Sequence, residues 1–285
     1  MEQVNEPLIS ILTITRNRDK LISRAIRSVI NQSYKNIEYI IVDGASDDNT
    51  QEVVLEFVKK DKRIKYLRQE ENVRPVLSID QAFEASKGEY ITFLDDDDEY
   101  MPNKIQKQYE LLSSLSEDYG FVYCWMDYYD VQSQSIIREH HDTYSGDVST
   151  EIIEKPILGG TPTLFFRRNV FKEIGGWSKK ISKPSDWEMR ARAAQLYKVD
   201  VVKEVLVRVN INHAYDRQSN INRTLTIDKV KERIEYRKHI LNEFHHKFAI
   251  HPQKSLEHIF SLVSDYYLLS EFKKGFEYFV KGLRI

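Results

Sequence analysis

Residues 89–99, EYITFLDDDDE, are where this chain concentrates its charge. β-Branched and aromatic residues alternate from Tyr90 to Leu94 and predict a buried strand, which ends abruptly in four consecutive aspartates, Asp95 to Asp98. Like charges at one strand tip disfavour each other's ionisation, so the pattern asks for a positive partner. Hard divalent cations such as Mg²⁺ and Mn²⁺ take oxygen ligands and bridge one or two protein carboxylates to substrate phosphates, which suits an Asp-x-Asp at a strand end. An acidic, solvated loop capping the helix announced by Pro102 fits the same residues. The cluster alone leaves both readings open.

The elements that must position it alternate along the chain. Strand-like runs LISILTI (8–14), IEYIIV (37–42), RIKYL (63–67), the Asp-tipped run and FVYCW (121–125) are separated by segments with apolar residues at helical spacing. That order implies βαβ units and an α/β fold with a mostly parallel sheet flanked by helices, in which ligands bind beyond the carboxyl ends of the strands. Those ends are polar: Thr15-Arg16-Asn17-Arg18 after the first strand, Asp43-Gly44-Ala45-Ser46-Asp47 after the second, Arg68 after the third and the aspartates after the fourth. Gly44 lets the backbone turn tightly or approach a ligand closely, while Asp43 could equally be a turn former, with Ser46 or Asp47 as the helix cap. Neither GxGxxG nor a P-loop is present.

Composition narrows the classes. The chain has 285 residues, 41% hydrophobic and 30% charged, so it can bury a large core, and seven prolines and ten glycines give no sign of a long disordered segment. A net charge of −2 argues against a nucleic-acid partner. The single cysteine, Cys124, forbids an intrachain disulfide and suits a reducing compartment; in its apolar run it reads as a buried structural thiol. The N-terminus lacks a signal-peptide pattern and no run is long enough to span a bilayer, so the expectation is a cytoplasmic protein, soluble or attached at a membrane surface.

The segments ISILTITRNR, YIIVDGASDDNT and ASKGEYITFLDDDDEYMPNKI resemble, in order and spacing, the nucleotide-binding half of the GT-A fold, family 2 glycosyltransferases. The resemblance covers about residues 8–210. It implies a nucleotide-sugar half over 8–125, an acceptor half over 126–225 and a C-terminal helical extension over 226–285. It also implies that Asp43 binds the nucleotide base and that Thr15, Arg16 and Asn17 line the base pocket, with Arg68 beside them. The resemblance maps the DXD motif onto Asp95, Asp96 and Asp97, in a run of four whose register stays open: its first part would contact the ribose, Asp97 would hold Mn²⁺ or Mg²⁺, Asp95 would share it and Asp98 would be the trailing acidic residue. Asp186 aligns with an acidic motif at a helix start and would be the catalytic base, its alternative role being to cap the helix starting at Trp187. His213 sits where the superfamily often completes its metal site, and a neutral imidazole suits Mn²⁺.

Departures are visible. Ile14-Thr15-Arg16 replaces the frequent Pro-Thr-Tyr, so a guanidinium that could stack or pair with a phosphate stands in for a tyrosine. Val73 replaces a glycine, Ile79-Asp80 an Arg-Asn, and Ser185 a glutamate, which leaves Glu188 as a fallback base. Residues 127–156 read as an irregular loop, and GGTPTLFFRR as a turn feeding a strand. From Lys229 the chain reads as amphipathic helices, with eleven Lys/Arg against seven Asp/Glu, and five histidines between His239 and His258 lack a ligand spacing. The last helix interleaves Phe272, Phe276, Phe279, Val280 and Leu283 with Lys273, Lys274, Lys281 and Arg284. Such a stripe is expected to cover the core, the other reading being contact with an anionic membrane surface or a partner.

These readings converge on an inverting, metal-dependent transferase moving sugar from a nucleotide-diphospho-sugar, UDP-linked by resemblance, to a glycan or lipid-linked acceptor. A catalytically silent sugar-nucleotide or glycan-binding module is the alternative. A nucleotidyltransferase fits less well, because ITRNRDK lacks the glycine-rich loop of that chemistry.

Overall fold

The computed structural model describes residues 6–155, 157–181, 185–213 and 226–283. In chain order the elements are β1 (Ile9–Thr15), α1 (Ile22–Ile30), β2 (Ile37–Asp43), α2 (Thr50–Lys60), β3 (Ile64–Arg68), α3 (Pro75–Ala85), β4 (Tyr90–Phe93), β5 (Glu99–Tyr100), α4 (Lys104–Ser114), β6 (Tyr119–Asp130) and β7 (Ser135–His140). Then come α5 (Glu151–Glu154), β8 (Phe165–Arg167), α6 (Arg168–Glu173), α7 (Asp186–Leu196), β9 (Lys198–Ile211), α8 (Ile227–Glu243), α9 (His245–Ile250), α10 (Leu256–Leu268) and α11 (Phe272–Leu283). Two compact units result: Met1–Val148 with Ile157–Gly176 and Arg192–His213, and Ser149–Pro156 with Trp177–Ala191 and Ala214–Ile285. The boundary expected at 225/226 adjoins residues 214–225, which lie outside the described residues.

The first unit is the expected mixed sheet flanked by helices. Its strands run in the order β3-β2-β1-β4-β8-β6-β9-β5, with β7 off this path against β6. The β3, β2, β1 and β4 ladder is parallel throughout, as is β6 with β9, while β8, β5 and β7 pair antiparallel. Every residue of β2 and β4 is buried, because helices cover both faces of a central parallel sheet and leave no solvent face to alternate toward. Cys124 is fully buried in β6, and burial pushes its thiol up to about 12, the inert structural cysteine its run suggests.

Two expectations fail for identifiable reasons. The stretch expected to be irregular from residue 127 begins with the rest of β6, turns, and returns as β7. Asp130 Oδ1 accepts from the Gln132 and Ser133 N–H groups at 2.8 and 3.2 Å and closes that turn. The first five residues of β7 are exposed, so the strand shows no alternation of buried and polar positions to read. The aromatic stripe of the last helix does not cover a core: Phe272 and Phe276 are 56% and 58% exposed, and Phe279 is 39%. Instead α11 packs on α10 through Gly275 and Gly282, where a Cβ would come within 3.0 Å of the Tyr267 ring and 3.2 Å of Ile259, and this close approach turns the phenyl face outward. The side chain of Leu283, and Arg284, lie outside the described residues. The second unit has its own small core, Val230 and Ile234 of α8 against Leu262 and Tyr266 of α10. Beside it the fully buried Asp265 carboxylate meets Arg233 at 2.6 Å.

Lys104, at the start of α4, is fully buried behind the aspartate-tipped strand. Its Nζ donates to Thr92 Oγ1 at 2.9 Å and lies 4.1 Å from the centre of the Tyr100 ring. Burial pulls its ammonium down to about 7. Because the unfolded lysine holds its proton to about pH 10.4, folding releases a proton across this window, and stability rises with pH from about 7 upward. Denaturant melts at pH 7, 8 and 9 are expected to show a gain of up to ~1.4 kcal/mol per pH unit in the wild type that flattens in Lys104→Met; parallel slopes would show that Lys104 stays charged.

Candidate functional site

The parallel register brings the strand ends together. Thr15 pairs with Asp43, and Asp43 pairs with Arg68 across the next ladder. On the other side of β1, β4 ends at Phe93, and Leu94 N–H donates to Leu12 O at 3.1 Å before the aspartates begin. Thr15, Asp43, Arg68 and Asp95 to Asp98 therefore lie along one edge of the sheet, as the βαβ rule requires.

Asp43 is fully buried, and both its oxygens are engaged: Oδ1 accepts from the Ser46 N–H at 2.8 Å and the Ser46 hydroxyl at 2.6 Å, and Oδ2 accepts from the Tyr66 hydroxyl. Burial and the bond to Asp43 push the Tyr66 phenol up, so it remains a donor. Ser46 is thus drawn to Asp43 rather than capping α2; Asp48 Oδ1 takes the Thr50 N–H at 2.9 Å instead. The left-handed step of this loop is Ala45, φ 57°, one residue after the glycine expected to supply it. A Cβ at Gly44 would meet only ordinary contacts, the nearest Asn72 Oδ1 at 3.6 Å.

Asn17 also adopts the left-handed conformation, φ 55°, which asparagine tolerates. Its N–H donates to Ser46 Oγ at 2.9 Å and its Oδ1 accepts from Asp47 N–H at 3.0 Å, lacing the β1 end to the β2 end. Arg68 reaches the same loop, donating to Ser46 O at 2.6 Å. Arg16 is half-buried, and its Nε has no hydrogen-bond partner.

The four aspartates go four ways. Asp95 is exposed. Asp96 is buried with Oδ1 3.6 Å from Arg18 Nε and Oδ2 without a hydrogen-bond partner. Burial, then the adjacent Asp97 charge, pushes its carboxyl up to about 7. Asp97 Oδ2 lies 3.1 Å from His213 Nε2, and the His213 side chain is 4% exposed with Nδ1 unpartnered. Asp98 points inward and accepts the Asn210 N–H of β9 at 3.0 Å. The structure thus brings Asp97 and His213 together; among the described residues no third acid, histidine or cysteine joins them as a metal cluster. Three residues not singled out from the sequence hold this tip. Arg18 faces Asp96, Arg24 donates to Asp97 O at 3.3 Å and lies 3.3 Å from Glu99, and Asn210 donates to Asp97 O at 3.0 Å. Only Arg18, next but one to Arg16 at a strand end, carries a local signal.

In the second unit, Asp186 is the first residue of α7 and is exposed, its Oδ1 accepting from the Trp177 indole N–H at 3.1 Å. The helix begins one residue earlier than expected, and Ser185 takes the capping place, its Oγ 3.5 Å from Glu188 N. Glu188, the other acid considered for the base, is fully buried and bonded to His239 at 3.0 Å.

Comparison with known proteins agrees with this geometry. The model of glycosyl transferase family 2 matches residues 10–175. An uncharacterized glycosyltransferase of Methanocaldococcus jannaschii, MJ1057, is 26% identical over 213 residues, covering 73% of this chain and 72% of its own. Among solved structures, residues 1–349 of S. aureus TarS in complex with UDP-GlcNAc superpose with a TM-score of 0.69 at 18% identity, over 90% of this chain and 72% of that one. The mannosyltransferase PcManGT of Pyrobaculum calidifontis, in complex with GDP-Man and Mn²⁺, superposes with a TM-score of 0.61 at 14% identity, over 99% and 76%. Strand order, polar strand ends and a family match over more than half of the sequence lead to one assignment: the chain is a glycosyltransferase of family 2, built on the GT-A fold.

Proposed function

We propose that this glycosyltransferase moves a sugar from a UDP-sugar to a hydroxyl of a glycan or lipid-linked acceptor in a single inverting displacement, with Asp186 as the base. The observation that carries the reading is the meeting of Asp97 with His213 at the same sheet edge as Asp43. The Asp97 carboxylate and the His213 Nε2, 3.1 Å apart, form a donor pair in which the carboxylate suits Mn²⁺ or Mg²⁺ and the imidazole favours Mn²⁺. Two protein groups suffice when diphosphate oxygens and water complete the shell, so Asp97 and His213 would hold the cation, with Asp95 beside them. When bound, the cation neutralises charge on the diphosphate leaving group.

The chain's own groups do the rest. Asp43, fixed by Ser46 and Tyr66, retains lone pairs to accept from a base N–H, since a carboxylate offers about four acceptor sites. Asn17 and Arg68 hold the rim of that pocket, and Arg16 presents a guanidinium able to stack on the base or meet a phosphate. Thr15 and Asp96, both buried, set the pocket floor toward the ribose. Asp186, exposed and aligned by Trp177, takes the proton from the acceptor hydroxyl as it attacks the anomeric carbon. TarS with UDP-GlcNAc supports a UDP donor, and PcManGT with GDP-Man and Mn²⁺ supports the cation while keeping GDP as the competing base.

Two measurements test this. Calorimetry with UDP, GDP, CDP and dTDP, each with Mn²⁺ or EDTA, is expected to show tight binding of UDP only with metal, and Asp97→Asn to lose that metal dependence. UDP binding of equal strength in EDTA would remove the Asp97–His213 cation. Asp186→Asn is expected to lower transfer by ~10²–10⁴-fold, the usual share of a general base, while UDP affinity changes little. Wild-type turnover in that variant would take the base role from Asp186, and donor hydrolysis absent even in the wild type would favour the silent binding module.

The outward Phe272, Phe276 and Phe279, with Lys273 and Lys281 alongside and Glu277 as the opposing charge, support a cytoplasmic enzyme resting on the inner, anionic face of the membrane. No helix among the described residues is long and apolar enough to cross a bilayer. Co-sedimentation is expected with phosphatidylglycerol-containing vesicles and not with pure phosphatidylcholine. Phe272→Ser with Phe276→Ser should weaken it by more than ~10-fold, as each buried phenyl stabilises by about 1.5–3 kcal/mol; unchanged sedimentation would leave α11 facing water or protein.

A further inference from the structure

The second unit holds an arrangement that the family match does not describe. It surrounds Asp186, and a role for it rests on the reading of Asp186 as the base. Ser185 and Glu188, on either side of that residue, are both tied to α8. The Tyr236 hydroxyl donates to Ser185 Oγ at 3.1 Å, and His239 Nε2 meets Glu188 Oε1 at 3.0 Å with the two side chains 9% and 0% exposed. Tyr236 and His239 are three residues apart and so share one face of α8. Burial pushes the Tyr236 phenol up to about 12, which keeps it a donor. Val230 and Ile234 fix α8 against Leu262 and Tyr266 of α10, and Arg233 meets the buried Asp265. Trp187, next to Asp186, donates its indole N–H to Ile152 O at 2.7 Å and packs edge-on to Tyr236 and Phe244.

We propose that α8 is the positioning element of the base: Tyr236 and His239 hold the first turn of α7 through Ser185 and Glu188, and thereby aim the Asp186 carboxylate. The two hydrogen bonds fix the residue before Asp186 and the residue two after it. Trp177 fixes the carboxylate itself from the other side of the loop. With three such restraints the carboxylate direction is set by packing rather than by its own rotamer, which is what a proton acceptor on an exposed helix end needs. Tyr236 and His239 touch neither donor nor acceptor in this scheme and act only through α7. A burial role alone would be served by a phenyl and an aliphatic chain of the same size, so the hydroxyl and the imidazole are where positioning and simple packing part.

The test uses the full chain with UDP-sugar donor and Mn²⁺. Tyr236→Phe and His239→Leu are expected to lower kcat by ~10–100-fold, the range that a misplacement of about 1 Å gives, with KM for donor and the number of UDP sites per chain unchanged. His239→Gln, which keeps a donor toward Glu188, should restore most of the loss. Introduced into Asp186→Asn, neither substitution should lower the residual rate further, because both act through the carboxylate already removed. Wild-type kcat in Tyr236→Phe and His239→Leu, an equal loss in His239→Gln and His239→Leu, or a fall in UDP sites that matches the fall in kcat overturns the proposal. Full turnover in Asp186→Asn overturns the base reading beneath it, and because that variant leaves Tyr236 and His239 in place the two failures are told apart.

Discussion

Four consecutive carboxylates at the end of a buried strand set the problem that the surrounding structure solves. The protein does not let them face one another. Asp98 turns into the fold and takes a backbone N–H of β9; Asp96 is buried beside Arg18; Asp97 meets His213; Asp95 lies exposed. Each inward direction requires an element brought from elsewhere: α1 supplies Arg24, β9 supplies Asn210 and the second residue past its end is His213. The short β5, pairing with β9 at Glu99 and Tyr100, answers the same need, since it holds the chain leaving the aspartates against the strand that receives Asp98. Behind them Lys104 and Tyr100 occupy a space that an apolar pair would fill more cheaply, so the polar character of this region extends into the core.

On the β1 and β2 side the side chains proposed for the pocket also hold the fold. Asn17, Ser46 and Asp43 form a hydrogen-bonded lacing that fixes two loop ends in left-handed steps at Asn17 and Ala45. A turn former and the base-binding acid proposed above are here not competing descriptions. An acid that is already held by a hydroxyl and a phenol loses little freedom when a ligand arrives, which is the physical meaning of a preorganised site.

The sheet is legible in the sequence because β-branched and aromatic runs alternate with helical spacing, and the acidic tip because four aspartates after such a run admit few explanations. The contact of Asp97 with His213 is expected from the family pattern, not from spacing. The features that stay hidden depend on distant encounters. Asn210 carries no local mark of its bond to Asp98, and Arg24 reads as one more polar residue on an amphipathic helix. The β7 hairpin is exposed along most of its length, so neither period appears in its sequence. Periodicity sends the phenyl stripe of α11 to the wrong side, because it finds an apolar face but does not say that Gly275 and Gly282 make the opposite face the one that fits α10.

The separation between Asp98 and its β9 partner carries a consequence for biosynthesis. These residues are 112 positions apart, and Asp97 and His213 are 116 apart. As the chain leaves the ribosome, the β1 to β4 ladder can assemble early, but its acidic tip stays open to water, with its charges mutually repelling, until more than a hundred further residues have emerged. Pairing across such a distance is slow to form. The contacts that hold the tip can therefore form only after β9 has been made, well after the residues of the β1 to β4 ladder.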